Sequence, residues 1–583
     1  MNNYKQGLNL MNTKSIPIGW LKLVILVAST AAVSVNAFEI KFDNPNLSGF
    51  VDTTVTASVA ITTTNGIQRF SPASGRLNVF ENAGEVYSAP LSFITDAGIR
   101  WGNWGVFTRF GYLYDFEIMD GSNKCTNCGG NPLLDRTPAG ALDGIPEGAR
   151  NEYNAFTLYD LFIYGDLYIA DYMASLRIGK QVVNWGESNI MGGGISSAIN
   201  PEDLAKRTTP GTEVKERLLP QEMVYFNLGL TDNTSLEAYY IWNWRRTQFV
   251  PVGTYFSPFD FLGQGFNPDL SVPGVEKRGS DKPDRGGQWG VAIHHIFESL
   301  NDMDLGLYWV RSHASNPYLQ ANFDPAGPGV IPGLFTTYHE VFSEDQDTYA
   351  ISLSGEVFQT GVSFQTELNL REDFWDTREC QNFFGLAGIL GAIGAAPFPV
   401  AWTPGYPETG GVPGCENENN DVYTWLGSLT MSGAGHFGAD SHAYVFDWQM
   451  QWVDGQDRGD LTDKTPANDA NSARLGLNAP GLDQLDRFVT DFSWGYTIVA
   501  AYTYNDVFLN VNVKPTFVWV HNVEGYQPFN SGALFENQRT VNVGVTFEYQ
   551  NNMSLNIAHT WWPGREGTWS DRDNVAATFK YSF

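Results

Sequence analysis

The sequence predicts an all-β protein: one large transmembrane antiparallel β-barrel of the outer-membrane type. Three observations carry that prediction. Apolar and polar residues alternate with a period of two along many segments, as in tilted strands that cross a bilayer. Short and long connections alternate down the whole chain, as periplasmic turns and extracellular loops do in such barrels. The composition, with 14% aromatic and 17% charged residues, 18 Trp and 60 Gly, suits a lipid-facing wall better than a water-facing one.

The chain opens with Lys5, Lys14 and Lys22 and carries no acidic residue before Phe38. The apolar run "LVILVASTAAVSV" follows and closes on Val35, Asn36 and Ala37. A charged start, a short apolar stretch and an A-x-A-like site make a secretory signal over 1–37, which leaves 38–583 as a single barrel domain. The run is shorter than the roughly 20 residues that a membrane helix needs. A net charge of −29 excludes the basic footprint on which nucleic-acid binding depends, so no such partner is expected.

The segment 47–62, "LSGFVDTTVTASVAIT", is the clearest strand. Leu47, Val51, Val55, Ala57, Val59 and Ile61 share one face, opposite Ser48, Asp52, Thr54, Thr56, Ser58 and Thr62, with Phe50 the exception. The pattern recurs at 362–373, 494–504 and 541–549. Tight connections fall at 102–104, 165–170, 231–233, 298–302, 359–361, 505–507 and 550–552, with an intermediate one at 432–441. Long connections rich in Gly, Pro and Asp occupy 63–85, 118–152, 186–220, 247–285, 314–345, 375–420, 454–492, 522–536 and 563–571. This spacing gives about eighteen strands, with sixteen as the other count, long extracellular loops and both termini on the periplasmic side.

The chain ends "DNVAATFKYSF", with Phe579, Tyr581 and Phe583 on one side and Thr578, Lys580 and Ser582 on the other. A terminal aromatic on the apolar face is expected to close the last strand against the first, so that no sheet edge remains. It also resembles the C-terminal signal that barrels present to the barrel assembly machinery. Aromatic residues near strand ends (Trp101, Trp185, Tyr239, Tyr240, Trp242, Trp244, Trp519, Trp561, Trp562) read as girdles at the lipid and lipopolysaccharide interface, some of them facing the lumen instead.

Strand parity turns Arg100, Arg109, Arg177, Arg245, Arg371 and Lys514 inward, with Asp52, Asp96, Glu237, Glu356, Glu367, Asp447 and Glu548. Charges of both signs can brace a wide bore as ladders or line a path for solutes.

Catalytic motifs are missing. The eight His form no H-E-x-x-H, and neither G-x-S-x-G nor a phosphate loop occurs, so neither catalysis nor a cofactor or metal is expected. "MGGGISS" (191–197) reads as a turn leaving a strand, and His294 and His295 point to opposite faces. Asp454, Asp457, Asp460 and Asp463 form a solvated acidic loop, with calcium binding as the alternative. Two loops, 249–266 and 383–402, are apolar enough to pack into the barrel mouth, touch lipopolysaccharide or meet apolar solutes.

Gly179-Lys180-Gln181, Trp185-Gly186-Glu187-Ser188, Asn200-Pro201, Pro210-Gly211, Lys215-Glu216 and Gly253-Thr254-Tyr255-Phe256 stand close together in the chain. Around these residues, with Arg177 just ahead of them, the chain resembles a proteobacterial outer-membrane family catalogued as domain of unknown function 1302. The resemblance implies a large barrel whose relatives are linked with growth on hydrophobic compounds such as alkanes, sterols or aromatics. It also implies a periplasmic lipoprotein-like partner and an inner-membrane transporter of the resistance-nodulation type. The segment 186–220 is a candidate lumen plug, with Asn200, Pro201 and Glu202 set to start a short helix.

The leading function is therefore an outer-membrane channel or transporter for uptake of hydrophobic small molecules. A non-conducting barrel that docks a periplasmic partner is the alternative, and an outer-membrane hydrolase stands third. The four cysteines, on an oxidising export route, are expected to pair as Cys125–Cys128 and Cys380–Cys415, with crossed pairing as the runner-up. Mass spectrometry under non-reducing conditions should find all four oxidised; four free thiols would rule the pairing out.

Overall fold

Backbone groups that face hydrocarbon must be hydrogen-bonded within the protein, and this chain meets that demand with one closed sheet. The computed structural model describes residues 38–66, 79–80, 82–121, 145, 147–187, 190–257, 263, 276–277, 279–322, 337–358, 360–377, 417–454, 490–527, 534–563, 569 and 571–583. Residues 1–37, where a signal is expected, all four cysteines, Ser188, the acidic loop beyond Asp454 and the apolar loop 383–402 lie outside the described residues.

Eighteen strands make the wall. They are β1 (Leu47–Thr62), β2 (Pro90–Trp101), β3 (Trp104–Asp115), β4 (Asn154–Ile169), β5 (Tyr172–Gln181), β6 (Gln221–Thr231), β7 (Thr234–Asn243), β8 (Gln288–Phe297) and β9 (Met303–Ser312). The second half comprises β10 (Gln346–Glu356), β11 (Val362–Thr377), β12 (Asn417–Gly433), β13 (Ser441–Val453), β14 (Phe492–Phe508), β15 (Val511–Glu524), β16 (Arg539–Tyr549), β17 (Met553–Trp561) and β18 (Asn574–Ser582). Each strand pairs antiparallel with the next, and β18 returns to β1 from Thr54↔Ser582 to Thr62↔Asn574. The expected count, the inward and outward faces, and the alternation of short and long connections are those observed.

The seam is closed to its last residue. Phe583 N–H donates to the Thr53 carbonyl at 2.9 Å, and Thr53 N–H donates back to the Phe583 carbonyl at 2.8 Å. Where β18 stops, the short strand Phe38–Lys41 pairs with residues 48–51 of β1 and continues the same column.

Two tight turns lie later than their sequence positions suggested. β4 keeps its pairing to Ile169↔Tyr172, so the turn is 170–171 rather than 165–170. β14 slips register after Tyr504 and recovers at Phe508↔Val511, which moves the turn to 509–510. Three of the expected girdle aromatics are elsewhere. Trp185 and Tyr239 are buried in the lumen, and Trp562 is buried at the extracellular mouth, whereas Trp101, Tyr240 and Trp242 do face outward.

The described part of the apolar loop, 249–257, packs into the mouth. Val252 and Tyr255 join Phe80, Tyr87, Ile118 and Tyr153 in one buried cluster, and Phe256 meets Trp562 and Trp569 edge-on. The fully buried Arg572 stacks on Tyr255 and donates to its carbonyl.

Deleting Phe583 removes the last rung and one ring, about 1.5–3 kcal/mol of burial, which a closed barrel survives once folded. If the same residue is read by the assembly machinery, the deletion should lower the amount inserted while surviving barrels keep near wild-type heat resistance. Lys580→Ala, on the lumen face, should assemble normally. Unchanged outer-membrane levels on deletion would reduce the terminal Phe to ordinary packing.

Candidate functional site

The lumen wall is polar because every second residue of each strand faces it, and a strap formed by 182–220 runs across it from the end of β5. The strap holds two one-turn helices, Ile195–Ile199 and Leu204–Thr208, and a 3-10 turn at Val214–Glu216. Such short helices have little stability of their own, so the wall must hold them in place.

One anchorage is on the β11–β14 side. The fully buried Glu367 carboxylate accepts from the backbone N–H of Ile195 at 2.7 Å and of Glu187 at 3.0 Å, and from Asn369 Nδ2 at 3.0 Å. Asp447 accepts from the N–H groups of Met191 at 3.0 Å and Ile190 at 3.3 Å. Thr497 donates to the Met191 sulfur at 3.0 Å. Two glycines make this approach geometrically feasible. Gly186 (φ +79) would place a Cβ 2.1 Å from Glu367 Oε2, and Gly193 (φ +81) would place one 2.2 Å from Gln449 Nε2. The Gly-rich 191–197 stretch is therefore a wall contact inside the bore, not a turn leaving a strand.

The second anchorage is on the β18–β1–β2 side. Lys580 reaches Glu213 at 3.3 Å, and Lys215 reaches Glu213 at 3.3 Å and Asp96 at 3.6 Å. Gly211 (φ +85) sits over Ser58, Thr56 and Thr578. Glu213 and Glu216 form a reciprocal cap, and Tyr159 of β4 donates to Glu216 at 3.3 Å. In the strap itself, burial pushes the Lys206 ammonium down, against Asp203, Glu216 and Glu152, and pushes the Asp203 carboxyl up.

The remaining motif residues fasten the strap to itself and to its root. Asn200 Nδ2 donates to the Val183 carbonyl at 2.7 Å, the Pro201 carbonyl accepts from Leu219 at 2.8 Å, and Gln181 Nε2 donates to the Met223 carbonyl at 3.3 Å. Asn200 does not start a helix. It ends Ile195–Ile199, and the next helix is capped by Asp203, because Glu202 and Asp203 are held extended by bridges to Leu218 and Gln248.

The expected inward charges do face the lumen, in two groups. Arg109 holds Asp96 at 2.7 Å and Asp160 at 3.0 Å, Arg100 holds Asp166 at 2.7 Å, and Lys514 holds Glu548 at 2.6 Å. These pairs brace the wall. Arg177, Arg245 and Arg371 have no ion-pair partner among the described residues: Arg177 stacks on Tyr225 at 4.2 Å, Arg371 lies over Phe374, and Arg245 donates to the Pro220 carbonyl. Glu237 collects hydrogen bonds from Trp185 (2.6 Å), Tyr225 (2.7 Å) and Asn227 (3.1 Å). Between Arg177 and the strap lies a cavity of about 270 Å³, walled by Trp185, Tyr225, Glu237, His294 and Tyr308. Asp203 and Glu213 were not singled out from the sequence, whereas Gly186 and Gly211 were, as motif residues, without their role against the wall. The signal for the two acids was local, a carboxylate three residues ahead of Lys206 or Glu216.

The sequence model of a family described as "Protein of unknown function (DUF1302)" matches residues 19–583. Comparison with curated proteins gives no match. Among solved structures, a BenF-like porin from Pseudomonas fluorescens Pf-5 aligns with TM-score 0.41 and 9% identity, over 92% of this chain and 98% of that one. OccK9 (OpdG) from Pseudomonas aeruginosa aligns with TM-score 0.40 and 11% identity, over 92% and 98%. The outer membrane protein opdK from the same organism aligns with TM-score 0.38 and 10% identity, again over 92% and 98%.

Hydrogen bonds to a charged group contribute about 1.5–3 kcal/mol each, so losing one should raise the population of a displaced strap roughly tenfold or more. Glu367→Ala should therefore speed proteolysis within 190–220 and raise single-channel current, with barrel heat resistance unchanged. Equal proteolysis and current in variant and wild type would show that Glu367 does not hold the strap.

Proposed function

We propose that this chain, which belongs to the family described as Protein of unknown function (DUF1302), is an outer-membrane channel for small hydrophobic molecules, narrowed by the strap. The observation that carries this reading is the manner of the strap's attachment. It is secured at two separated stretches of wall by carboxylate-to-backbone bonds and ion pairs, and a cavity of about 270 Å³ remains beside it. That volume is near the lower end of small-molecule sites, which span roughly 300–1,000 Å³. Between these fastenings Ile195 and Ile199 are buried in an apolar cluster with Met223, Ile241, Ala292 and Val310 of the wall, so the strap is a fixed constriction with the cavity at its side. The apolar segment 249–257 at the mouth supports the hydrophobic class, with alkanes, sterols and aromatics as the candidate groups.

One observation favours a second reading, a barrel that docks a periplasmic partner. Phe358, Phe437 and Leu509 occupy the tips of three successive periplasmic turns at positive φ, and they are 94%, 82% and 86% exposed. Large apolar residues rarely take that backbone conformation without reason. A lipoprotein-like component that hands cargo to an inner-membrane resistance-nodulation transporter is the partner such a rim would serve.

Purified protein in planar bilayers should carry KCl current, and a deletion strain should grow poorly on one class of hydrophobic carbon source. A barrel that carries no current and whose loss impairs no such growth would leave the docking reading in its place.

A further inference from the structure

The inner wall below the strap has two unlike halves. From β10 to β18 the strand register turns Ser352, Gln365, Ser428, Val445, Thr516 and Thr546 toward the lumen, and no described inward position there carries an aromatic ring. Nearer the extracellular end, one described inward ring, Phe374, is buried with Val422 and Val453. From β1 to β9 the same depth is lined with rings.

These rings are contiguous. Phe50 lies 6.5 Å from Phe107, Phe107 lies 5.3 Å from Phe162, and Phe162 lies 6.2 Å from Tyr164. Arg177 bridges Phe162 at 5.9 Å and Tyr225 at 4.2 Å. Above the row, the strap's Trp185 packs on Tyr239 at 4.9 Å and Tyr308 at 5.9 Å, and these three rings are buried with Ile195 and Ile199 in the cluster that seats the strap. Glycines on the neighbouring strands seat the rings against the wall. A Cβ at Gly98 would fall 2.6 Å from Phe50, one at Gly105 2.3 Å from Tyr164, and one at Gly290 2.5 Å from Tyr239. Ring-over-glycine packing by itself fills a sheet surface. It does not explain why the partly exposed rings Phe50, Phe107, Phe162 and Tyr164, which lie outside the cluster that seats the strap, keep to one half of the bore.

We infer that the partly exposed row of Phe50, Phe107, Phe162 and Tyr164 is a binding track for flat, ring-bearing apolar solutes, with Arg177, beside the strap cavity, as a contact for an acidic substituent. The inference rests on the channel reading and narrows its hydrophobic class to molecules that present a ring face. Stacked and edge-on ring contacts are short-ranged and repeat along the row, so a flat solute can exchange one ring for the next without losing all contact. An alkyl chain gains burial but no such geometry. Arg177 differs from Arg100 and Arg109 in having no carboxylate partner among the described residues, and it lines the cavity beside the strap. Glu237, across the cavity, already accepts three hydrogen bonds.

The test uses the full-length barrel in detergent and in planar bilayers, with 2-naphthoate, 2-naphthol and decanoate as probes. Isothermal titration should show 2-naphthoate binding at least fivefold tighter than decanoate, and 2-naphthol between them. The double variant Phe107→Ala/Phe162→Ala should weaken 2-naphthoate at least fivefold, while Thr516→Ala/Thr546→Ala on the ring-free half should leave it unchanged. Gly105→Ala, which lifts Tyr164 from its seat, should also weaken it, and Arg177→Gln should erase the preference for naphthoate over naphthol. Heat resistance of each variant confirms an intact barrel, and because Gly105→Ala changes no ring it serves if the double variant fails to assemble. No binding of either naphthalene probe, or equal binding in wild type, the double variant and Gly105→Ala, would overturn the track. A wild-type barrel that binds 2-naphthoate but carries no KCl current would refute the channel and leave the track standing.

Discussion

A sheet inside hydrocarbon cannot present an edge, and everything else in this protein follows from how that condition is met. The condition is satisfied at one seam, where β18 returns to β1 and the reciprocal bonds of Thr53 and Phe583 add the final rung. Closure sets the even strand number and puts both ends of the chain on one side. It also makes the parity of every strand consistent with its neighbours, since a slip of one residue would send lumen charges such as Glu367 and Asp447 into lipid. The outer face then has one task and little freedom. What differs from a plain wall is confined to the bore and the two rims.

The bore of eighteen strands is wide, and the strap supplies its constriction. Its position depends on complementarity between wall carboxylates and strap amides together with apolar packing, since Val183, Trp185, Ile195 and Ile199 are buried in one cluster with Met223, Ile241, Ala292 and Val310 of the wall. Glu367 and Asp447 would be costly as buried charges without their donors, and the strap's amides would be unpaired without them. Each group therefore makes the other's position favourable. Gly186, Gly193 and Gly211 complete the fit, since each stands where a Cβ would collide with the wall and where φ is positive. A side chain at any of the three would force the strap inward.

The fold was legible because alternation is local. Six consecutive residues of β16, Val541 to Thr546, already tell which face meets lipid, whatever lies elsewhere in the chain. The loop-length rhythm added the strand count in the same way. The errors lie where position depends on distant residues. Trp185 looks like any girdle tryptophan until Gly290, 105 residues later, is seen to make room for it. Asn200 followed by proline has the local form of a helix start, but the bridge of Glu202 to Leu218 holds the chain extended there. The glycine run at 191–197 reads as a turn leaving a strand until Asp447 and Gln449 come against it from more than two hundred residues away. The pairing of Lys580 with Glu213 is invisible in the sequence for the same reason.

The asymmetry of the inner wall belongs to this second kind of information, yet its elements are simple. A ring can lie flat on a sheet only where the neighbouring strand offers a glycine, and such glycines weaken a strand unless something covers them. In β2, β3 and β8 the covering ring and the exposed glycine come from different strands, so each is tolerable only because the other is present. Sheet stability asks for no more than a ring over each glycine and would accept them anywhere around the bore. Tyr225, Tyr239 and Tyr308 do serve stability, since they bury the strap's Trp185, Ile195 and Ile199. The partly exposed row of Phe50, Phe107, Phe162 and Tyr164 lies outside that cluster, and its confinement to β1–β4 is a demand that stability does not make. A surface for a flat solute makes that demand, because such a solute must find its next ring within reach of the last.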